Sequence, residues 1–271
     1  GLIGGSLALK LHEKKLSARL MGVEASTAHA ALAMERELVD EILPLHEAIA
    51  QADIVALCVP ADVLLTLLPE VLNRVTRQIV FDMGSTKELL LRTVEQHPKR
   101  GRYVATHPMW GTEYSGPAAA QKDAFEQRAV VLCNGEQSDT DAREWVKSMY
   151  EKIGMRIVEM EASAHDLHAA YISHISHVLS FSLANTVLEK EKEEAAIFEL
   201  ASAGFESTVR LAKSNPAMWV PIFKQNKKNL LDVLDEHIAG LQQFRHHLEE
   251  ENEEAFRQFI ERANTIRKII K

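Results

Sequence analysis

The chain has 271 residues, 46% hydrophobic and 26% charged, with a formal net charge of −8 at pH 7. That is an ordinary soluble globular composition, long enough for two cores. No apolar run approaches the roughly 20 residues a membrane span requires, and with no basic half or stripe nucleic acid is not an expected partner.

The first residues, Gly1-Leu2-Ile3-Gly4-Gly5, match the second and third glycines of a G-x-G-x-x-G phosphate-binding loop. The first glycine and the strand that normally precedes it are absent. We expect both to precede Gly1 in the natural protein, and their absence to leave two unpaired strand edges at the centre of the sheet. Beyond the loop, periodicity predicts a helix over 4–14, a strand over 18–24 ending on Glu24, and a helix over 27–37. An almost continuous apolar strand over 53–59 stops at Pro60. Helices over 62–73, 86–96 and 140–153 alternate with strands over 78–82, 102–106, 129–133 and 156–159, and a Gly/Pro-rich loop fills 107–117. Short apolar strands alternating with helices predict a parallel sheet covered on both faces, a Rossmann-type α/β domain over 1–160.

After residue 161 the strand signal stops. Residues 165–188, 193–213, 218–248 and 253–270 read as helices, an all-α domain over 161–271 with apolar stripes suited to packing on a second subunit. Cys58 and Cys133 lie inside apolar runs. They read as small buried hydrophobes in a reducing cytoplasm, with neither a disulfide nor a metal pair expected.

Several polar residues stand out. Glu24 sits about 20 residues after the glycine loop, where a carboxylate accepts hydrogen bonds from the hydroxyls of an adenosine ribose. An acid there favours NAD over NADP; the alternative is a surface glutamate. The segment Asp82-Met-Gly-Ser85-Thr-Lys87-Glu88 follows a strand at the sheet edge where ligands bind, or else forms a helix cap with Ser85 and Glu88 as a capping box. His107, at a strand end before a glycine-rich loop, is placed for proton transfer. Ser173 and His177 share a helix face. With His165 and His168 they raise a metal site, but no carboxylate or cysteine completes a motif and no metal is expected. Arg210, among apolar neighbours, suits a bidentate grip on a carboxylate.

In order along essentially the whole chain, GLIGGSLA from Gly1, DMGSTK from Asp82, HPMWGTEYSG from His107, SHISH from Ser173 and GFESTVRLAKSNPAMW from Gly204 resemble the prephenate/arogenate dehydrogenase family. The resemblance implies NAD-dependent oxidative decarboxylation of prephenate to 4-hydroxyphenylpyruvate in tyrosine biosynthesis. It implies that His107 receives the proton of the ring hydroxyl, Ser85 orients that hydroxyl and Arg210 binds the ring carboxylate. His177 and Ser173 would line the pocket, with Thr112, Glu113 and Trp219 at its mouth. Gly1, Leu2, Ile3, Gly4, Glu24, Val59, Pro60 and Ser85 would hold the cofactor. A cytoplasmic homodimer, joined through the helical domain, is implied as well. Neither a fused mutase nor a regulatory ACT segment is expected, so any inhibition by tyrosine would be competitive.

Two departures bear on the substrate. Glu206 stands where relatives that use prephenate often have a basic residue, which leaves arogenate, an amino acid, as an alternative. Ala203 precedes Gly204 where a second glycine is frequent. Another NAD(P)-dependent dehydrogenase of the same layout, or a non-catalytic nucleotide-binding paralogue, would explain the architecture but not His107, Ser85 and Arg210 together.

Overall fold

The structure, a computed structural model, describes every residue except 193, 195 and 271. It divides into two compact units, Gly1–Asn226 and the segment from Lys227 onward. The first unit opens with α1 (Leu2–Glu13), β1 (Met21–Gly22), α2 (Thr27–Glu35), β2 (Glu41–Ile42), α3 (Leu45–Gln51), β3 (Ile54–Leu57) and α4 (Ala61–Arg74). It continues through β4 (Ile79–Asp82), α5 (Glu88–Val94), β5 (Tyr103–Pro108), β6 (Ala129–Cys133), α6 (Thr140–Lys152) and β7 (Arg156–Met160).

Strands β3 to β7 form one sheet in chain order, and β1 pairs with β2 in a separate parallel pair. No pairing joins β1 to β3 among the described residues, so the expected break at the sheet centre is present. It leaves β3 with Ile54 and Val55 half-buried and Ala56 exposed. The predicted all-parallel sheet is corrected at one point. β5 and β6 run antiparallel, with His107 opposite Val131, while the remaining neighbours in the five-stranded sheet are parallel. The Gly/Pro-rich segment after β5 thus returns the chain in the opposite direction.

Both faces of the sheet are covered, which is why the strands read as apolar without alternation. On one face Val80, Tyr103, Ala105 and Cys133 pack under α4 and α5, against Leu64, Leu68, Val71, Leu72, Leu90 and Val94. On the other, Ile79, Phe81, Val104, Val130 and Leu132 meet Leu7 of α1 and Val146, Met149, Tyr150 and Ile153 near α6. The helices' apolar residues recur at three- and four-residue spacing, the stripe that sheet packing demands.

Beyond β7 the unit is helical: α7 (Ala162–Ala169), one π-helical turn (Ala170–His174), α8 (Ile175–Glu191), α9 (Ala203–Val209) and α10 (Pro216–Gln225). The predicted helix over 165–188 is therefore two helices joined by a π turn, and it starts three residues earlier. The predicted helix over 193–213 starts at a residue outside the described ones. Its remainder is divided into a 3₁₀ turn at Ile197–Leu200, α9, and a second 3₁₀ turn at Arg210–Lys213. The predicted helix over 218–248 is interrupted at Asn226, whose side-chain amide donates to the Asp166 carbonyl at 2.6 Å.

The second unit consists of α11 (Lys227–Glu249), α12 (Glu253–Asn264) and a closing 3₁₀ turn, Thr265–Lys268. Phe244 packs on Phe256 and Phe259 at ring-centroid distances of 4.8 and 5.7 Å. Asn252 caps α12 by accepting from the Ala255 amide at 3.0 Å. Among the described residues, no helix is long and apolar enough to cross a membrane.

Candidate active site

The turn that follows β4 is organised by one carboxylate. Asp82 Oδ2 accepts from the Gly84 amide at 2.8 Å and pairs with Lys87 Nζ. Its Oδ1 accepts from the Tyr103 hydroxyl at 2.7 Å and from the Thr106 amide at 3.2 Å. Both Asp82 and Lys87 side chains are 0% exposed, and both carboxylate oxygens find donors, as a buried pair requires. Burial and the adjacent Asp82 charge push the Tyr103 phenol well above its ordinary value, keeping it a donor. A Cβ on Gly84 would stand 2.6 Å from Leu64 and 2.9 Å from Asp82 Oδ2, which explains the glycine. This turn carries Ser85, half-buried.

The capping box expected from Ser85 and Glu88 does not form. α5 begins at Glu88 with no cap of its own. Its first amides, Lys87 N and Glu88 N, donate instead to Asp166 Oδ1 and Oδ2 at 2.8 and 2.9 Å. A carboxylate from α7 thus supplies the negative charge that a helix N-terminus favours.

His107 lies near the end of β5 and is buried. Its Nδ1 is 2.8 Å from His165 Nε2, and His165 Nδ1 is 2.7 Å from Asp166 Oδ1. Burial pushes His107 well below its ordinary value, assisted by the positive potential of His165, Lys87 and His174. The ring is therefore a neutral base at physiological pH. After His107 the chain enters the loop predicted from its glycines and prolines. Gly116, at φ +82°, adopts the left-handed conformation that glycine permits. Arg36 Nη1 holds the end of the loop by donating to the Pro117 carbonyl at 2.7 Å.

The remaining sequence-predicted substrate residues form two further groups. Trp219 is buried and stacks on His177 with centroids 3.4 Å apart, and its Nε1 has no acceptor. His177 Nδ1 bonds the Ser173 carbonyl at 3.1 Å, so the shared helix face is realised through the backbone of Ser173. Arg210 Nη1 pairs with Glu113 Oε2 at 2.9 Å, with side chains 51% and 13% exposed. Glu113 is held below the usual carboxylate range by its own backbone amide first and then by Arg210. Thr112 accepts from the Tyr114 amide at 3.3 Å and shapes the same loop. No hydrogen bond or ion pair among the described residues joins these groups to His107, or Ser85 to His107. An edge contact of Trp219 with His174, 5.9 Å between centroids, is the nearest link.

His174 is a residue that sequence reasoning passed over, although it lies within the SHISH run. Its Nδ1 meets Asn226 Nδ2 at 3.0 Å, and burial lowers its pKa to about 4. His107 and His177 are lowered by burial too. Because the unfolded chain takes up these protons near pH 6.5, stability is complete above that value. It is lost as pH falls toward the folded values. His174 alone accounts for about 3 kcal/mol between its unfolded value and about 4. Denaturant midpoints are expected to fall between pH 7.5 and 5; equal midpoints would show that these rings are not buried as neutral bases.

At the nucleotide end, Gly1 precedes the 12-residue α1 and makes no side-chain cap. A Cβ on Gly1 would meet nothing within 4 Å, whereas one on Gly4 would lie 3.0 Å from Cys58 Cβ. Gly4 therefore serves close packing of α1. Leu2 and Ile3 form the first turn, with Ile3 packed on the core. Glu24 follows β1 and accepts from the Ser26 amide at 3.0 Å, while Val59 and Pro60 lead from β3 into α4.

Comparison with known proteins bears on both halves of the chain. Residues 7–159 match the family model described as prephenate dehydrogenase, nucleotide-binding domain, and residues 161–262 match prephenate dehydrogenase, dimerization domain. The chain is 30% identical to a prephenate dehydrogenase of Bacillus subtilis, over 98% of this chain and 73% of that one. Its structure resembles that of A. aeolicus prephenate dehydrogenase in complex with hydroxyphenyl propionate and NAD+. The TM-score is 0.89 at 25% identity, covering 100% of this chain and 95% of the other. Synechocystis arogenate dehydrogenase is similar as well, with TM-score 0.78, 25% identity, and coverage of 100% and 97%. With a Rossmann-like sheet, a helical continuation and matches to both family models, this chain belongs to the prephenate dehydrogenase family of oxidoreductases.

Proposed function

We propose that the protein catalyses NAD-dependent oxidative decarboxylation of prephenate to 4-hydroxyphenylpyruvate, in the cytoplasm, on the route to tyrosine. The observation that carries this reading is His107: a buried, neutral imidazole whose Nδ1 is already engaged by His165. Its Nε2 remains for the proton of a substrate hydroxyl. In this reading residues 1–160 form the nucleotide domain and 161–271 the helical substrate and dimerisation domain, through which two copies associate.

The residues at the nucleotide end fit NAD. The N-terminal end of α1 suits a pyrophosphate, and Glu24, just after β1, suits the ribose hydroxyls and opposes a 2′-phosphate. Leu2, Ile3, Gly4, Val59, Pro60 and Ser85 complete that site. NAD, when bound, supplies the hydride acceptor.

The chain's own contribution is position and proton transfer. His107 takes the hydroxyl proton as the ring carbon is oxidised and the carboxylate leaves as CO2. Ser85 orients the hydroxyl from a turn that Asp82 holds rigid. Arg210 grips the ring carboxylate with the donors that Glu113 leaves unused. His177, Ser173 and Trp219 line the pocket, with Thr112 and Glu113 shaping its mouth. The indole N–H of Trp219 is buried without a partner.

Arogenate is the second reading, and Glu206 favours it. Its side chain is 73% exposed and pairs with Lys213 at 3.8 Å, an exposed pairing with an ammonium that the ammonium of arogenate would have to join or replace. Side-by-side kcat/KM for prephenate and arogenate, with NAD+ and NADP+, discriminates the two through the absorbance of the reduced cofactor. Prephenate with NAD+ is expected to be highest; consumption of neither substrate would sink the reading.

A further inference from the structure

The hydrogen bonds around His107 form a chain that ends on a buried carboxylate. Asp166 is its anchor. Its two oxygens already accept from the Lys87 and Glu88 amides at 2.8 and 2.9 Å, and Oδ1 also meets His165 Nδ1 at 2.7 Å. An ionised carboxylate only accepts, so His165 Nδ1 must carry a proton. When His165 is neutral, its Nε2 is then an acceptor. The 2.8 Å contact to His107 therefore requires His107 Nδ1 to be the donor. That leaves His107 Nε2 without a proton.

From this chain we infer that His165 is a positioning residue for His107, relaying from Asp166 the tautomer that makes His107 Nε2 a proton acceptor. This rests on the proposed role of His107 and extends it to two residues that touch neither substrate nor cofactor in that reading. A neutral imidazole has two tautomers, and only the one protonated at Nδ1 accepts at Nε2. The ring pair is also fixed in angle, with planes 73° apart and centroids 5.0 Å apart. When His107 takes a proton, the Asp166 carboxylate lies at the far end of the same hydrogen-bond chain and balances the new charge. The same carboxylate caps α5, so the turn carrying Ser85 and the tautomer of His107 share one anchor.

The test has a spectroscopic arm and a kinetic arm. In the full-length protein labelled with ¹⁵N-histidine, two-bond correlations at pH 7.5 report which nitrogen of each ring bears hydrogen. The His107 signals are assigned by their loss in His107→Asn. We expect His107 and His165 both to be protonated at Nδ1. A His107 ring protonated at Nε2 would overturn the inference, whether or not the enzyme turns over prephenate. In the kinetic arm, His165→Gln retains an amide able to accept from His107 but bears no tautomer set by Asp166. It is expected to lower kcat by about tenfold to a hundredfold, as loss of an orienting partner commonly does, with KM changed less than about threefold. An unchanged kcat would overturn the inference. A fall in thermal stability with His107 still protonated at Nδ1 and kcat unaltered would assign His165 a packing role, overturning it too. If the wild-type enzyme turns over neither prephenate nor arogenate, the proposed reaction fails while the tautomer result still decides the relay.

Discussion

Replacement of His107 with Asn is expected to lower kcat by about 10²–10⁴, the range that a positioned general base contributes. Asn is close to imidazole in size at the Nδ1 position and retains a donor for His165 Nε2, now 2.8 Å from the ring. It lacks any group able to accept the hydroxyl proton. The carboxylate grip proposed for Arg210 is untouched, so KM is expected to change little. Steady-state kinetics with prephenate, beside a thermal melt that verifies folding, measure both quantities. A variant with wild-type kcat would show that His107 is a structural histidine. A large rise in KM with kcat preserved would move it from proton transfer to binding.

Lys87→Met is the substitution expected to cost most in stability, about 3–5 kcal/mol. Lys87 and Asp82 are both fully buried and paired. Removing the cation leaves Asp82 ionised within the core, or forces it to take up a proton at a cost. The Tyr103, Gly84 and Thr106 donors remain around it, yet none of them carries charge. The double variant Asp82→Asn/Lys87→Met removes both charges and is expected to recover part of the loss. Urea unfolding of wild type, single and double variants gives the comparison. A single variant within about 1 kcal/mol of wild type would show that Asp82 does not depend on Lys87 for its burial.

The strands most legible in the sequence were those buried on both sides. β6 coincides with its predicted span and β4 differs by one residue, because continuous apolar runs bounded by polar residues leave little choice. Direction was not legible. Nothing in the composition of the loop after His107 states that β6 returns antiparallel to β5, since loop residues record local turns and not their sum. The two-residue β1 and β2 owe their existence to pairing with each other, a long-range property. The helix expected over 193–213 followed from helix-forming side chains, but local propensity yields to tertiary contacts at that scale.

Of the proposed site residues, His107 and Arg210 stood out by their sequence context, while the pocket roles of His177, Trp219 and Glu113 entered through the resemblance; the Arg210–Glu113 ion pair was not anticipated. Asp166 and His165 were not singled out for this role. The carboxylate caps a helix 78 residues earlier in the chain, and the histidine reaches back 58 residues to its partner. The sequence pointed elsewhere, since Ser85 and Glu88 offered α5 a capping box of its own; only the fold shows that its first amides find their acceptor on α7.

That distant cap has a consequence for the order in which the molecule assembles. A helix of seven residues is too short to persist alone, and closing a long loop must be paid for in chain entropy before α5 gains its acceptor. During synthesis, the nucleotide-binding sheet emerges before Asp166. Until α7 docks, the first turn of α5 relies on water, and the Ser85 turn before it lacks half of its support. In the proposed reaction, catalytic competence would therefore mature late, when the helical segment arrives, even though His107 and Ser85 both belong to the part of the chain made first.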